Sequence, residues 1–150
     1  LEKSDKPTIF LFYGDHLPSL LETYYETGFI TTKSTTDWGT EELYKTHSIP
    51  FLVYDNFKFK ESYPHDLEFG APFLGNYLAN YIGIEKSNYF EFIDTVKYRS
   101  IRDRLFVDNE GKSYGKVPEN YLEETNRHRI IQYDILHGEN FIADYKFNKD

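Results

Sequence analysis

The sequence predicts an α/β fold, a layered mixed sheet with flanking helices, forming a single unit over residues 1–150. Three observations carry that expectation. Thr8-Ile-Phe-Leu-Phe-Tyr13 and Phe51-Leu-Val-Tyr54 are short unbroken apolar runs, the pattern of strands covered on both faces. Phe73, Leu74, Tyr77, Leu78, Tyr81 and Ile82 recur at helical spacing and stop at Gly83. Strand-like and helix-like segments alternate, and 150 residues are enough for one real core.

The elements follow in order. After the first strand, Pro18 suits a first helical turn, and Leu20, Leu21, Tyr24 and Tyr25 keep helical spacing up to Gly28. Residues 29–40 are turn-rich and read as a loop, with a short helix near Glu41–Thr46 broken by Ile49-Pro50. The second strand ends at Asp55-Asn56, and residues 57–70 are a polar connection. Ser87 is placed to cap a helix that buries Tyr89, Phe90, Ile93 and Val96. Asp108-Asn-Glu-Gly111 is a hairpin turn between Leu105-Phe-Val107 and Ser113-Tyr-Gly115. Pro118 opens a long helix ending at His137-Gly138, and the alternation over 141–147 predicts a last strand.

Composition excludes several classes. The net charge is −8 and no basic cluster interleaves with aromatics, so nucleic acid is not an expected partner. Arg99, Arg102 and Arg104, mixed with Asp103, read as a solvated face. There is no Cys, hence no disulfide framework and no thiolate metal site. No apolar stretch is long enough to span a bilayer. The 14 Tyr and 13 Phe are expected to fill the core. The chain opens on Leu1 and contains no Met, which reads as a piece of a longer polypeptide.

Chemistry concentrates where the first strand runs into Gly14-Asp15-His16. In open α/β sheets ligand groups gather just past the carboxyl ends of strands. A carboxylate beside an imidazole can supply two ligands to a divalent cation. The same residues also suit a strand-end Asp capping the next helix with a neighbouring His, and spacing alone leaves both readings open. His47, just before the second strand, can orient a substrate phosphate or be an ordinary loop histidine. Trp38 either anchors the long loop or lines a pocket mouth. Thr35 and Thr36 have no base nearby in sequence and are not proposed as nucleophiles. His128 and His137 on the last helix default to surface or helix-terminus roles.

Phe12-Tyr-Gly-Asp-His-Leu-Pro18 resembles the late metal-binding motif of the lipoteichoic acid synthase and sulfatase-like family of the alkaline phosphatase superfamily. The resemblance continues in order through His47-Ser-Ile-Pro-Phe-Leu-Val-Tyr-Asp-Asn56, the helix of 71–84, and Ile131-Gln-Tyr-Asp-Ile-Leu-His-Gly138. It implies that the chain is the C-terminal portion of a sulfatase-like catalytic domain whose parent is longer at the N-terminus. Asp15 and His16 are then metal ligands, for manganese in the first place, with magnesium or calcium possible. The remaining ligands and a Thr nucleophile belong to upstream segments, so this chain holds no catalytic nucleophile and is inactive alone. Gln132-Tyr133-Asp134 matches the family and reads as structural.

The resemblance implies a parent that is a metal-dependent phosphoglycerol transferase or related phosphoric or sulfuric ester enzyme. That parent is anchored in the cell membrane with its catalytic domain outside; the fragment itself is soluble. Expected partners are the missing N-terminal part of the domain, a phosphoglycerol lipid or another phosphate or sulfate ester, and further copies of the fragment. The rival reading is a non-catalytic α/β interaction module.

Overall fold

The computed structural model describes residues 4–57 and 67–145. Most of the polar connection predicted over 57–70 lies outside the described residues. The α/β class holds, with helices and two small antiparallel sheets, and the chain divides into two compact units, Leu1–Tyr63 and Pro64–Asp150.

In the first unit, β1 (Ile9–Tyr13) is followed by α1 (Leu21–Glu26), α2 (Thr40–His47) and β2 (Phe51–Asp55). β1 and β2 pair antiparallel, Phe10 opposite Tyr54 and Phe12 opposite Leu52. Gly28 ends the first helix at a φ of +73°, a left-handed conformation that glycine adopts without strain. Glu42 organises the intervening loop. Its carboxylate accepts from the Thr31 amide at 2.8 Å and the Gly39 amide at 2.9 Å, closing the N-terminus of α2. Trp38 anchors the same loop, its indole N–H donating to the Thr32 carbonyl at 2.8 Å.

One expectation is corrected in this unit: the strands are not covered on both faces. Phe10, Phe12, Leu52 and Tyr54 share one face of the ribbon, and Phe12 and Leu52 are 61% and 58% exposed. An unbroken apolar run reports that both faces favour burial; it does not supply the layer that buries them.

The second unit contains α3 (Leu74–Ile82), α4 (Asn88–Thr95), β3 (Tyr98–Arg102), β4 (Leu105–Asp108), β5 (Ser113–Tyr114) and α5 (Leu122–His137). Its strands form an antiparallel meander in the order β3-β4-β5. Phe73, Phe92, Ile93, Tyr98 and Phe106 make the core, but the expectation that the aromatics fill it holds only in part, because Phe10, Phe12, Tyr13, Tyr25, Tyr54, Tyr133, Phe141 and Tyr145 are exposed. Ser87 caps α4 as expected, accepting from the Phe90 amide at 3.3 Å. Gly83 closes α3 at a φ of +75°. Gly83→Ala should therefore cost about 1 kcal/mol of stability, read as a lower urea midpoint at unchanged slope.

Two elements here differ from expectation. Tyr98–Arg102 is a strand that the sequence did not signal, with Tyr98 in the core; Arg102, Asp103 and Arg104 are exposed, as the solvated-face reading expects, while Arg99 is half-buried. The predicted strand over 141–147 is instead a 3-10 turn, Phe141–Asp144; residues 146 and 147 lie outside the described set. Side chains from α5 and α4 take the backbone groups a strand would need. The Ile142 backbone amide donates to Asp134 at 3.1 Å, and the Asn88 side-chain Nδ2 donates to the Ile142 and Ala143 carbonyls at 2.9 and 2.8 Å. No described helix is long and apolar enough to cross a membrane.

Candidate metal-ligand pair at the end of β1

β1 runs out at Tyr13, and the Gly14 amide donates to the Pro50 carbonyl at 3.3 Å, tying the strand exit to the segment entering β2. Gly14 lies close to Ile49, where an added Cβ would make ordinary contact at 3.6 Å. Asp15 and His16 follow in a bend, where side chains are not committed to a ladder.

The two side chains converge. His16 Nε2 lies 3.6 Å from Asp15 Oδ2, and the side chains are 75% and 84% exposed. The other carboxylate oxygen, Oδ1, accepts from the His16 amide at 2.9 Å. His16 Nδ1 lies 2.8 Å from the Leu17 carbonyl. A carbonyl oxygen can only accept, so Nδ1 carries the proton and the lone pair of the neutral ring sits on Nε2. The ring therefore turns its free nitrogen toward the free carboxylate oxygen. Leu17 precedes Pro18, which keeps its backbone out of the helical region and its carbonyl free for this role. Sequence reasoning missed Leu17; the Leu-Pro dipeptide was the available signal.

The antiparallel pairing of β1 with β2 brings His47 to the same end of the ribbon, four residues before Phe51. His47 ends α2, is exposed, and its Nδ1 lies 2.7 Å from the Leu43 carbonyl, which again leaves Nε2 unprotonated in the neutral ring. Thr35 and Thr36 sit in the 3-10 turn Thr35–Asp37; the Thr36 hydroxyl lies 2.9 Å from that of Ser34. Asn56 is taken up in structure, its side-chain oxygen accepting from the Thr8 amide at 2.8 Å.

As a donor set, Asp15 and His16 offer one hard oxygen and one imidazole nitrogen, chemistry that suits manganese or magnesium. They are incomplete. Among the described residues no group of three or more His, Asp or Glu is placed to hold a metal ion, and two ligands alone do not make a metal site. Of the other residues singled out, His137 is exposed and packs against the Tyr133 ring, centroids 5.4 Å apart. His128 is corrected: it is not on the surface but 1% exposed, at the centre of the aromatic core.

These features define an α/β chain carrying a carboxylate–imidazole pair at a strand terminus. Among known proteins it is similar to a protein of Rhizobium meliloti (strain 1021) named for cyclic beta-1,2-glucan modification, 25% identical over 156 aligned residues. The alignment takes in 97% of this chain and 23% of that protein, so the chain spans about a quarter of its relative's length. No protein-family model matches the chain, and no solved structure matches it.

Proposed function

We propose that this chain is the C-terminal portion of a larger, metal-dependent transferase of the cell envelope, one that modifies a glucan. In this reading the transferred group is phosphoglycerol or a related phosphate or sulfate ester, and the acceptor is a glucan hydroxyl. The observation that carries it is the convergence of Asp15 Oδ2 and the unprotonated His16 Nε2 at the end of β1. The similarity over nearly the whole chain to a protein named for glucan modification supports the acceptor class.

Within that enzyme Asp15 and His16 are two ligands of a divalent cation, manganese first, and Asp15 also offsets its charge. The bound cation would supply Lewis-acid stabilisation of charge on the phosphoryl or sulfuryl oxygens and activate a hydroxyl nucleophile. The Leu17 carbonyl holds the His16 ring in the tautomer that presents Nε2. His47, at the same end of the ribbon, would bind one oxygen of the ester only as the imidazolium, with its second proton on Nε2 as the donor. Neither residue is a nucleophile.

The test is metal removal from the full-length polypeptide. EDTA should abolish transfer to a cyclic β-1,2-glucan acceptor and added manganese should restore it, while the 150-residue chain alone shows no turnover. Transfer that persists at full rate in EDTA, after dialysis against chelator, would contradict the proposal. It would leave the non-catalytic module as the better account.

A further inference from the structure

The second unit contains a cleft that plays no part in the cation site. It is open to solvent, has a volume of about 180 Å3, and lies between β3 and one face of α5. Thr125, His128, Arg129 and Gln132, at spacings of three and four, give α5 a polar face there, opposite Tyr98 and Arg102. The other side of the helix is apolar and exposed: Ile130 is 69% exposed, Tyr133 66% and Leu136 72%. α5 turns Thr125 and His128 inward beside the apolar Ile131, while Glu123, Asn126 and Arg127 stay exposed.

The groups deep in the cleft are already committed. His128 places Nδ1 2.5 Å from the Tyr98 hydroxyl and Nε2 3.1 Å from the Tyr89 hydroxyl, and Gln132 hydrogen-bonds Tyr89 in turn. A neutral imidazole satisfies both tyrosines, donating to one and accepting from the other. Thr125 donates to the Leu122 carbonyl at 3.2 Å. His128 and Thr125 are therefore a fixed floor rather than ligand-binding groups.

The rim is different. Neither Arg102 nor Arg129 has a hydrogen-bond or ion-pair partner among the described residues. Asp103 also lines the cleft and pairs with neither of them. Two guanidiniums against one carboxylate leave the rim with a net charge of +1, in a chain whose overall charge is −8. Guanidinium is the side chain whose planar fork matches a tetrahedral oxyanion.

We propose that this cleft binds a tetrahedral oxyanion of the phosphate or sulfate class between Arg102 and Arg129, with Asp103 setting an upper limit on its affinity. The site uses neither Asp15 nor His16 and stands whether or not those residues hold a cation.

The test is a titration of the 150-residue chain with sodium phosphate and, separately, sodium sulfate, in EDTA at fixed ionic strength, followed by amide chemical shifts. Saturable shifts should gather on β3 and α5, and glycerol, a neutral polyol, should give none. Arg102→Gln and Arg129→Gln should each weaken binding at least tenfold, and Asp103→Asn should tighten it two- to threefold. Asp15→Ala should leave it unchanged. All these positions are exposed, so folding is not at risk, and an unchanged melting temperature verifies that. Binding of both anions supports an oxyanion site in general, and binding of one identifies the ester class. No saturable shift with either anion, or equal binding by the two Arg variants and the wild type, overturns the proposal.

Discussion

Replacing Asp15 or His16 with Ala in the full-length polypeptide is expected to lower metal-dependent turnover by roughly 100-fold or more, with little change in stability. Both halves follow from the geometry. The side chains are largely in solvent, and their one contact within the pair, beyond the 3.6 Å approach, is the hydrogen bond from the His16 amide to Asp15. Losing an exposed bond of that kind costs on the order of 0.5 kcal/mol, within the range of ordinary surface substitutions. Asp15→Asn is the sharper variant: the amide oxygen can still accept from the His16 amide, while the charge is gone. It should be nearly as inactive as Asp15→Ala, with activity partly recovered at high manganese. Steady-state kinetics against manganese concentration, beside thermal melts, reads both effects. Wild-type kcat and manganese dependence in Asp15→Ala would remove the ligand role.

His128 is expected to be the most consequential single residue for stability. It is 1% exposed, ringed by Phe73, Phe92, Tyr89 and Tyr98 at centroid distances of 5.6–6.1 Å, and bonded to two tyrosine hydroxyls. Truncation to Ala opens a cavity and removes the partner of Tyr98, a loss of about 3–5 kcal/mol. Burial also holds the imidazole pKa below its usual value, since a charged ring would lack water. Below about pH 6.5 the unfolded chain takes up the proton while the folded chain resists it. Stability is therefore flat above that pH and falls as pH drops through the window beneath it. His128→Phe should be less stable at pH 7 but should lose this slope as pH falls below about 6.5. Urea midpoints measured across that range test it; an identical slope in the variant would mean other groups carry the acid sensitivity.

Much of the fold was legible because local signals agreed. The apolar stripe ending at Gly83, the Ser87 cap, the Asp108–Gly111 turn and the two apolar runs each map to an observed element. The failures share a cause. Tyr98-Arg-Ser-Ile-Arg102 lacks a strand's clean alternation, and a bulge between Tyr98 and Ser100 breaks its register with β4. The segment after Gly138 alternates like a strand, yet Asp134 and Asn88, distant in sequence, cap it as a turn. His128 was unreadable because its burial depends on the Tyr89 and Tyr98 hydroxyls, partners that helical spacing does not reveal. Of the candidate site, Asp15 and His16 were visible as a motif. The tautomer-fixing Leu17 carbonyl and the Arg102–Arg129 cleft depend on geometry that spacing does not encode.

The Asp15–His16 pair is borne by the more weakly consolidated half of the chain. Among the described residues of the Leu1–Tyr63 unit only Ile30 and Leu43 are buried apolar residues, against eight among those of the other unit. A two-stranded ribbon with so little beneath it is marginal by itself. Its backbone amides should open to solvent exchange well before those of α4, β4 and α5. If Asp15 and His16 hold a cation as proposed, ion capture and ordering of the ribbon become one linked equilibrium, and the affinity measured for that cation includes the work of holding β1 and β2 in place.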